Sequence, residues 1–283
     1  HTIGKRGQGP GEYREVYDMI VDESKNQVRL LSPFGSLYTY DLEGNFIKQN
    51  QLPEKSNYQA MEQIGGNIMT WTIPVSSDEP CITIVNADNG KEVSSLWKGP
   101  RILNSLSGGS FYTYDGKTYF APAFHNNEIL EITEDSLKLA YKWDFGKDNI
   151  DISKYNFTLT DDNQAEEGRL MTDYLGNGTI PYLLGSQYQN SKYFYVCFSY
   201  GWFPNQTIKH LFYRKSDGKS FFFKDTQENI SIRPQAFEEE CIVQFASYDD
   251  LEAYKSILSP AEYQKIISRN EEDNPCLIKL YFK

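Results

Sequence analysis

The chain contains few of the residues on which common enzyme mechanisms depend. Only 3 of its 283 residues are histidine and only 4 are cysteine, and no Gly-x-Ser-x-Gly nucleophile motif occurs. A serine or cysteine nucleophile needs a neighbouring base, most often histidine, so this composition disfavours nucleophilic hydrolysis. No apolar run approaches the roughly 20 residues of a membrane helix, and the first 20 or so residues lack a signal-peptide pattern.

Positive charge is also scarce. The chain has 28 Lys and Arg against 39 Asp and Glu, which gives a net charge of −11. Surfaces that bind nucleic acids or anionic membranes need clustered cations, so we expect no nucleic-acid partner and no membrane-spanning segment. The chain is not disordered in composition, because 15% of its residues are aromatic and supply a large apolar area.

The four cysteines show no metal-binding pattern. Cys81, Cys197, Cys241 and Cys276 form no Cys-x-x-Cys pair and have no histidine at zinc-ligand spacing. Each lies in an apolar, strand-like run, which predicts buried thiols that bind no zinc and take no part in catalysis. A disulfide between Cys241 and Cys276 on neighbouring strands is the alternative, so cysteine usage does not indicate the cellular compartment.

The dominant pattern is a series of short aromatic or β-branched runs separated by turn residues, which is typical of β-strands. Hairpin turns recur at Gly44, Gly90 and Asp135, at spacings of 46 and 45 residues (90 − 44 and 135 − 90). Four strands in each period of this length predict an all-β fold, a β-propeller of four-stranded antiparallel blades. After a break the rhythm returns, and the last set is predicted at Ile230–Phe237, Cys241–Ala246 and Cys276–Phe282.

Two segments depart from the strand rhythm. Residues 147–178 form a polar excursion with a short helix expected around Ala165–Tyr174. Residues 249–269 are predicted as a helical insertion, because Ser259-Pro260-Ala261-Glu262 is a capping box with proline at the first helical position. Five strand sets are visible, so we expect a single propeller domain over residues 1–283 that lacks an N-terminal blade. The complete protein is then expected to have six blades, and five blades are the alternative.

A glycine-rich segment opens the chain, from Ile3 to Tyr13, and suits a tight crossing between blades, with Gly9 and Gly11 in conformations that a Cβ disfavours. Its Gly-Gln-Gly-Pro-Gly-Glu-Tyr stretch resembles a signature of a bacterial six-bladed β-propeller family related to NHL-type and TolB-like propellers. Three other segments share this resemblance: Asp41–Phe46, Asp144–Lys147 and Asp273–Pro275. The resemblance implies a location in the cell envelope, periplasmic or surface-exposed, with lipid anchoring or secretion of the full-length protein. It supplies no catalytic residues.

The candidate ligand-binding residues are chosen by position. Crossings between blades border the channel mouth of a propeller, and the turn Tyr200–Asn205 presents aromatic surface on which a sugar or peptide could stack. His125 ends a strand and could reach a channel ligand or a metal, whereas His210 is predicted to lie on the solvent side of its strand. The candidates are Arg6, Tyr13, Arg14, Arg101, His125, Trp202 and Arg233.

These observations predict a non-catalytic, envelope-associated propeller that binds a protein, peptide or glycan at one face. One alternative is a metal-dependent hydrolase or lyase, similar to lactonases, that uses the central channel. Another is a structural module of a larger envelope assembly. We expect no cofactor, and calcium is the metal that the many carboxylates would suit. The sequence does not indicate the ligand or the oligomeric state.

Overall fold

In the computed structural model, 19 β-strands form five antiparallel sheets within the described part of the chain. The structure describes residues 2–55, 57–73, 79–97, 110–121, 127–149, 166, 169, 178, 181–201, 204–270 and 272–282. Every sheet joins its strands in chain order, as the blades of a propeller do. The all-β propeller prediction is therefore confirmed. Two compact units are distinguished, residues 1–185 with 200–202 and residues 186–199 with 203–283.

The first unit contains three four-stranded sheets. Sheet 1 consists of β1 (Asp18–Asp22), β2 (Gln27–Leu31), β3 (Ser36–Asp41) and β4 (Phe46–Gln51). Sheet 2 consists of β5 (Tyr58–Ile64), β6 (Asn67–Thr72), β7 (Ile82–Asn86) and β8 (Glu92–Trp97). Sheet 3 consists of β9 (Ser110–Tyr114), β10 (Lys117–Ala121), β11 (Glu128–Ile132) and β12 (Leu137–Lys142). Apolar side chains fill the spaces between successive sheets, with Leu31 packed near Met61 and Trp71 near Phe120.

The second unit holds most of sheet 4 and all of sheet 5. Sheet 4 consists of β13 (Tyr182–Gln189), β14 (Tyr193–Tyr200), β15 (Thr207–Arg214) and β16 (Lys219–Phe223). Sheet 5 has three strands, β17 (Ala236–Phe237), β18 (Cys241–Ala246) and β19 (Cys276–Tyr281). None of the described helices has the length and apolar content that a membrane crossing requires.

The predicted helical insertion is confirmed between β18 and β19. It comprises a 3-10 helix, Tyr248–Ser256, and the α-helix α1, Pro260–Ile267. The capping box forms, because the Glu262 N–H donates to Ser259 Oγ at 3.3 Å and the Ser259 N–H donates to a Glu262 carboxylate oxygen at 3.0 Å. Leu251 and Tyr254 pack with Ile278 of β19, so the insertion covers part of one face of sheet 5.

Two predicted segments differ from the structure or lie outside its description. The predicted strand Ile230–Phe237 is wrong over most of its length, because only Ala236–Phe237 is a strand. Pro234 has no N–H, and the N–H of Arg233 donates instead to Gln244 Oε1 at 3.0 Å. The excursion at 147–178 lies mostly outside the described residues, among which Glu166 and Arg169 are helical.

The cysteines are free thiols, and the predicted burial is confirmed for three of them. Cys81, Cys197 and Cys241 are buried, and Cys276 is half-buried. The alternative disulfide is wrong, because Cys241 pairs with Tyr281 and Cys276 with Ala246, at opposite ends of the ladder between β18 and β19. A disulfide needs Cα atoms within about 7 Å of each other.

The glycine-rich opening segment folds back on sheet 1. Ile3, Tyr13 and Val16 pack against a buried cluster that includes Tyr38 and Tyr40. The Tyr40 hydroxyl donates to the carbonyl of Gly11 at 2.9 Å. This contact holds Gly11 close to the first sheet.

Gly11 meets the expectation of a conformation that a Cβ disfavours, since its φ is +73°. Gly9 is not among the glycines with positive φ, and its N–H donates to a Glu12 carboxylate oxygen at 2.9 Å. Of the two glycines, only Gly11 therefore has the left-handed conformation that favours glycine, and Gly9 does not.

We expect Gly11→Ala to lower the free energy of unfolding by more than the roughly 1 kcal/mol of left-handed backbone strain. A Cβ at Gly11 would lie 2.6 Å from the Phe46 ring, so that ring must also move. Gly116→Ala is the matched control, because Gly116 has φ +69° and nothing within 4 Å of the added Cβ. Urea unfolding measures both, and equal losses for the two variants would contradict close packing of this segment on Phe46.

Candidate binding cleft

An open cleft of about 850 Å³ lies in the second unit, between β16 of sheet 4 and β19 of sheet 5. Its volume is within the range typical of small-molecule and cofactor sites. Aromatic and aliphatic side chains form most of its wall, and charged groups lie among them. The lining residues used below are Phe212, Arg214, Phe221, Phe223, Lys279 and Tyr281.

The floor of the cleft is a group of interlocked aromatic rings around Phe212. The Phe212 ring stacks on Phe223 with centroids 5.7 Å apart and an interplanar angle of 8°. It also contacts Tyr195 at 4.8 Å and Phe282 at 6.3 Å between centroids. Since Phe212 and Tyr195 are buried, this floor is a packed surface on which a ligand could rest.

The pairing of β15 with β16 explains which aromatics face the cleft. Phe212 lies opposite Phe221, and His210 lies opposite Phe223. Directly paired residues of antiparallel strands share a face, so all four side chains project to the same side. Phe222 projects to the other side and stacks on Phe198 at 5.4 Å.

Charged groups at the cleft are held in defined positions. Two hydrogen bonds join the Arg214 guanidinium to Asp217, at 2.9 and 2.7 Å, and the same guanidinium lies 4.9 Å from the Phe221 ring centroid. The bond from Arg214 lowers the pKa of the Asp217 carboxyl to about 2. On β19, the Lys279 ammonium lies 3.1 Å from a Glu238 oxygen, and this hydrogen bond lowers the pKa of the Glu238 carboxyl.

His210 does not lie on the solvent side of its strand, as its sequence position suggested. It is 2% exposed, and its Nδ1 lies 3.0 Å from the Tyr195 hydroxyl. Apolar and polar residues alternate only weakly in β15, so the sequence does not show which face is buried. The face that carries Phe212 packs inward, and His210 is buried because it lies on the same face. Burial lowers the pKa of His210 below its ordinary value of 6.5, which keeps the imidazole neutral at neutral pH.

The depressed pKa of His210 predicts acid sensitivity. The unfolded chain binds a proton at this position near its ordinary pKa while the folded state does not, so stability falls as pH drops from about 7 to about 5. The His210→Gln variant has no titrating imidazole at this position, so we expect its Tm to fall less than that of the wild type over that pH range. Calorimetry at a series of pH values checks it, and identical profiles for the two proteins would contradict it.

Three of the predicted site residues are brought together by the opening segment. Arg6 and Tyr13 form a β-bridge, and Arg6 Nε donates to the carbonyl of Arg14 at 3.1 Å. The Tyr13 ring packs edge-on against Tyr38 with centroids 6.5 Å apart. The guanidinium groups are exposed, so a role in binding stays a prediction.

Arg233 lies in the second unit, beside the helical insertion rather than in the cleft. With Gln244, Asp250 and Tyr254 it lines a small cavity of about 30 Å³, which is about the volume of one water molecule. The remaining candidates, Arg101, His125 and Trp202, lie outside the described residues.

The most distinctive acidic pair lies in the first unit, on β1 and β5. Burial raises the pKa of Asp18 and of Glu62. Their oxygens accept backbone hydrogen bonds, from the Met61 N–H to Asp18 at 2.7 Å and from the Gln63 N–H to Glu62 at 2.9 Å. The bond from Met61 to Asp18 joins β5 to β1, whereas the bond from Gln63 to Glu62 lies within β5, and both are structural uses of the carboxyl groups. Among the described residues, no group of three His, Cys, Asp or Glu side chains is placed to hold a metal ion.

The cleft residues were not among the sequence candidates. The one available signal was the run Ser220-Phe221-Phe222-Phe223, which puts aromatic rings on both faces of an outer strand. A strand with one face in solvent alternates apolar and polar residues, so this run indicates contacts on both sides.

Solved structures resemble the chain in fold only. A member of the DUF4221 family from Bacteroides vulgatus aligns with a TM-score of 0.53 at 11% identity, covering 78% of this chain and 70% of that one. BamB from Moraxella catarrhalis aligns with a TM-score of 0.44 at 12% identity, covering 74% of this chain. The chain spans about half of that structure, 53% of its length.

Sequence comparison identifies the family. No curated protein matches the chain. The profile of the family described as domain of unknown function DUF4934 matches residues 1–281, nearly the whole sequence. The chain therefore belongs to the DUF4934 family, within a β-propeller fold.

Proposed function

We propose that the protein is a non-catalytic binding module whose ligand, a protein, peptide or glycan, occupies the cleft between sheets 4 and 5. The supporting observation is the combination of a packed aromatic floor with aromatic rings open to solvent. Phe221 is 41% exposed and Tyr281 68% exposed at the cleft, beside the positioned charges of Arg214 and Lys279. Large aromatics cost little conformational entropy to order, and exposed rings of this kind mark interaction sites.

The features of the cleft suit the binding of a ligand rather than the catalysis of a reaction. Both of its described basic side chains are engaged in ion pairs, Arg214 with Asp217 and Lys279 with Glu238, and its one lining carboxylate, Glu228, is exposed. His210, which pairs with Phe223 across the strands, is buried and shares a hydrogen bond with Tyr195. A binding role needs only the exposed aromatic rings and the charged groups in the positions that they already occupy.

A screen of peptides and glycans with matched variants tests this function. Any ligand that binds the wild type is expected to lose about tenfold in affinity with Phe221→Ala, since complete burial of a Phe side chain contributes about 1.5–3 kcal/mol. Phe34→Ala is the control, because Phe34 is 66% exposed in the first unit. Equal effects of the two substitutions, or hydrolysis of a lactone or ester substrate, would contradict the proposal.

We also propose that the complete protein is a six-bladed propeller of the cell envelope. The support is the set of family-like motifs in the sequence, above all the glycine-rich segment that packs on sheet 1. Fractionation of cells that express the full-length protein tests the location. Recovery in the envelope fraction is expected, and recovery in the cytoplasmic fraction alone would contradict it.

A further inference from the structure

A second groove, of about 450 Å³, lies in the first unit between sheets 2 and 3. It is formed at the ends of β5, β9 and β11, where these strands turn into their successors. Sheets 2 and 3 follow each other in the chain and each contains four strands, so the groove lies between two complete blades. Its wall is largely polar, with the side chains of Gln63, Thr113, Lys117, Thr118, Glu131 and Glu134.

Glu134 gives this groove a negative charge that nothing in the groove neutralises. It lies in the turn between β11 and β12, is exposed, and forms no hydrogen bond or ion pair within the described part of the chain. The other two charged groups of the wall pair with each other, Lys117 Nζ with a Glu131 carboxylate oxygen at 3.0 Å. One lysine and two glutamates give the wall a net charge of −1 (1 − 2).

The Glu134 carboxylate extends across the groove to the glycine turn of sheet 2. It occupies the place where a Cβ of Gly65 would lie, so a side chain at position 65 would clash with it. Gly65 also has φ of +54°, a conformation that favours glycine. The turn of sheet 2, Gly65-Gly66, therefore supplies no side chain to this carboxylate.

The corresponding place between sheets 1 and 2 is occupied by lysine side chains. There the acidic residue is Asp88, in the turn between β7 and β8. Lys25 Nζ lies 3.2 Å and Lys48 Nζ 3.5 Å from an Asp88 carboxylate oxygen. The hydrogen bond from Lys25 and the charges of both lysines lower the pKa of the Asp88 carboxyl. An acidic turn at this position thus binds ammonium groups of the neighbouring sheet.

Neither lysine has a charged counterpart between sheets 2 and 3. Lys25 belongs to the turn between the first two strands of its sheet, and the equivalent turn of sheet 2 is Gly65-Gly66. Lys48 follows the bulge of β4, and the residue that follows the equivalent bulge of β8 is Ser94. The acidic turn is therefore present at this boundary without the two ammonium groups that it binds at the preceding one.

We propose that the groove between sheets 2 and 3 binds a primary alkylammonium group, which pairs with Glu134 as Lys25 pairs with Asp88. This second site goes beyond the ligand proposed for the cleft. An ammonium group has three donors, which the carboxylate and the hydroxyls of Thr113 and Thr118 can accept. The net charge of −11 attracts a cationic ligand. The ammonium group comes either from a lysine side chain of a partner polypeptide or from a free diamine.

Two amines serve as probes for these two sources, Nα-acetyl-lysine amide and 1,5-diaminopentane. Binding is measured by chemical-shift titration of the ¹⁵N-labelled protein, and we expect shifts at residues 64–66 and 131–135. Nα-acetyl-norleucine amide is the uncharged control, and we expect it to bind at least about threefold more weakly than the lysine amide.

Glu134→Gln tests the carboxylate with little change of shape. We expect this variant to bind both amines about three- to fivefold more weakly, the range of a partly exposed ion pair. Glu43→Gln is the matched control, because Glu43 is an exposed glutamate in the equivalent turn of sheet 1, and it should bind like the wild type.

Gly66→Lys supplies an ammonium group from the chain itself. Nothing lies within 4 Å of a Cβ added at Gly66, and Gly66 has no positive φ. We expect this variant to lose amine binding, whereas Gly66→Gln, whose side chain is uncharged, retains it. Circular dichroism and Tm show whether both variants have folded, and the Glu134→Gln comparison decides if they have not.

Each outcome of these titrations decides for or against the ammonium site. Equal binding by Glu134→Gln and the wild type, equal binding of the lysine and norleucine amides, or no binding of either amine at about 10 mM overturns the proposal. Tighter binding of Nα-acetyl-arginine amide than of the lysine amide assigns the site to guanidinium groups and overturns it as well. Tighter binding of the lysine amide than of the diamine supports a polypeptide source, and the reverse supports a free amine. Phe221→Ala, in the cleft, should leave amine binding unchanged, so failure of this site and failure of the proposed function are separate results.

Discussion

Asp22→Ala is expected to lower the free energy of unfolding by about 3–5 kcal/mol, the usual cost of breaking a buried ion pair from one side. Arg29 is fully buried, and its guanidinium lies 2.9 Å from a carboxylate oxygen of Asp22. Asp22 and Arg29 lie in the same sheet, and the Arg29 guanidinium also donates to Gln63 Oε1 of sheet 2 at 3.1 Å, while Arg29 Nε has no partner among the described residues. Without Asp22 the buried cation has no compensating charge.

Urea unfolding of the single and double variants tests this result. Asp22→Leu combined with Arg29→Met removes both charges and keeps apolar volume, so we expect it to cost much less than Asp22→Ala alone. A loss below about 1 kcal/mol for Asp22→Ala would contradict the burial of the pair.

Phe212→Ala is expected to have a comparable effect in the second unit, about 3–5 kcal/mol. The ring is 7% exposed and contacts the rings of Tyr195, Phe223 and Phe282, so its removal leaves a cavity beneath the cleft. Because the floor collapses or fills with water, ligand binding should also be lost.

Phe221→Ala is the matched comparison for Phe212, one strand away on the same face. Phe221 is 41% exposed, so its removal should cost about 1 kcal/mol or less in stability while it still weakens binding. The two variants thus separate the packing of the floor from contact with the ligand. Similar stability losses for both, measured by urea unfolding and circular dichroism, would contradict this division.

The strand rhythm could be predicted because it depends on local chemistry. The hairpin glycines Gly44 and Gly90 have φ of +92° and +73°, conformations that favour glycine and so mark turns in the sequence. The capping box at Ser259 is equally local. The strand predicted at Ile230–Phe237 failed because a distant side chain, that of Gln244, takes the N–H of Arg233.

The cleft could not be predicted because it depends on which sheets become neighbours. The alternation of residues in β15 and β16 predicts that Phe212, Phe221 and Phe223 share one face. It does not predict which sheet packs against that face. His210 was misassigned for the same reason. Arg6, Tyr13 and Arg14 were chosen by their place in the glycine-rich segment, and the structure does bring these three together.

Hydrogen exchange with and without the tightest ligand from the peptide and glycan screen tests the central claim most directly. The claim is that the ligand occupies the cleft between β16 and β19. The account predicts slower exchange in residues 219–223 and 277–281, with the opening segment unchanged. Protection confined to residues 5–14, around Arg6 and Arg14, or absent from both cleft strands, would contradict it.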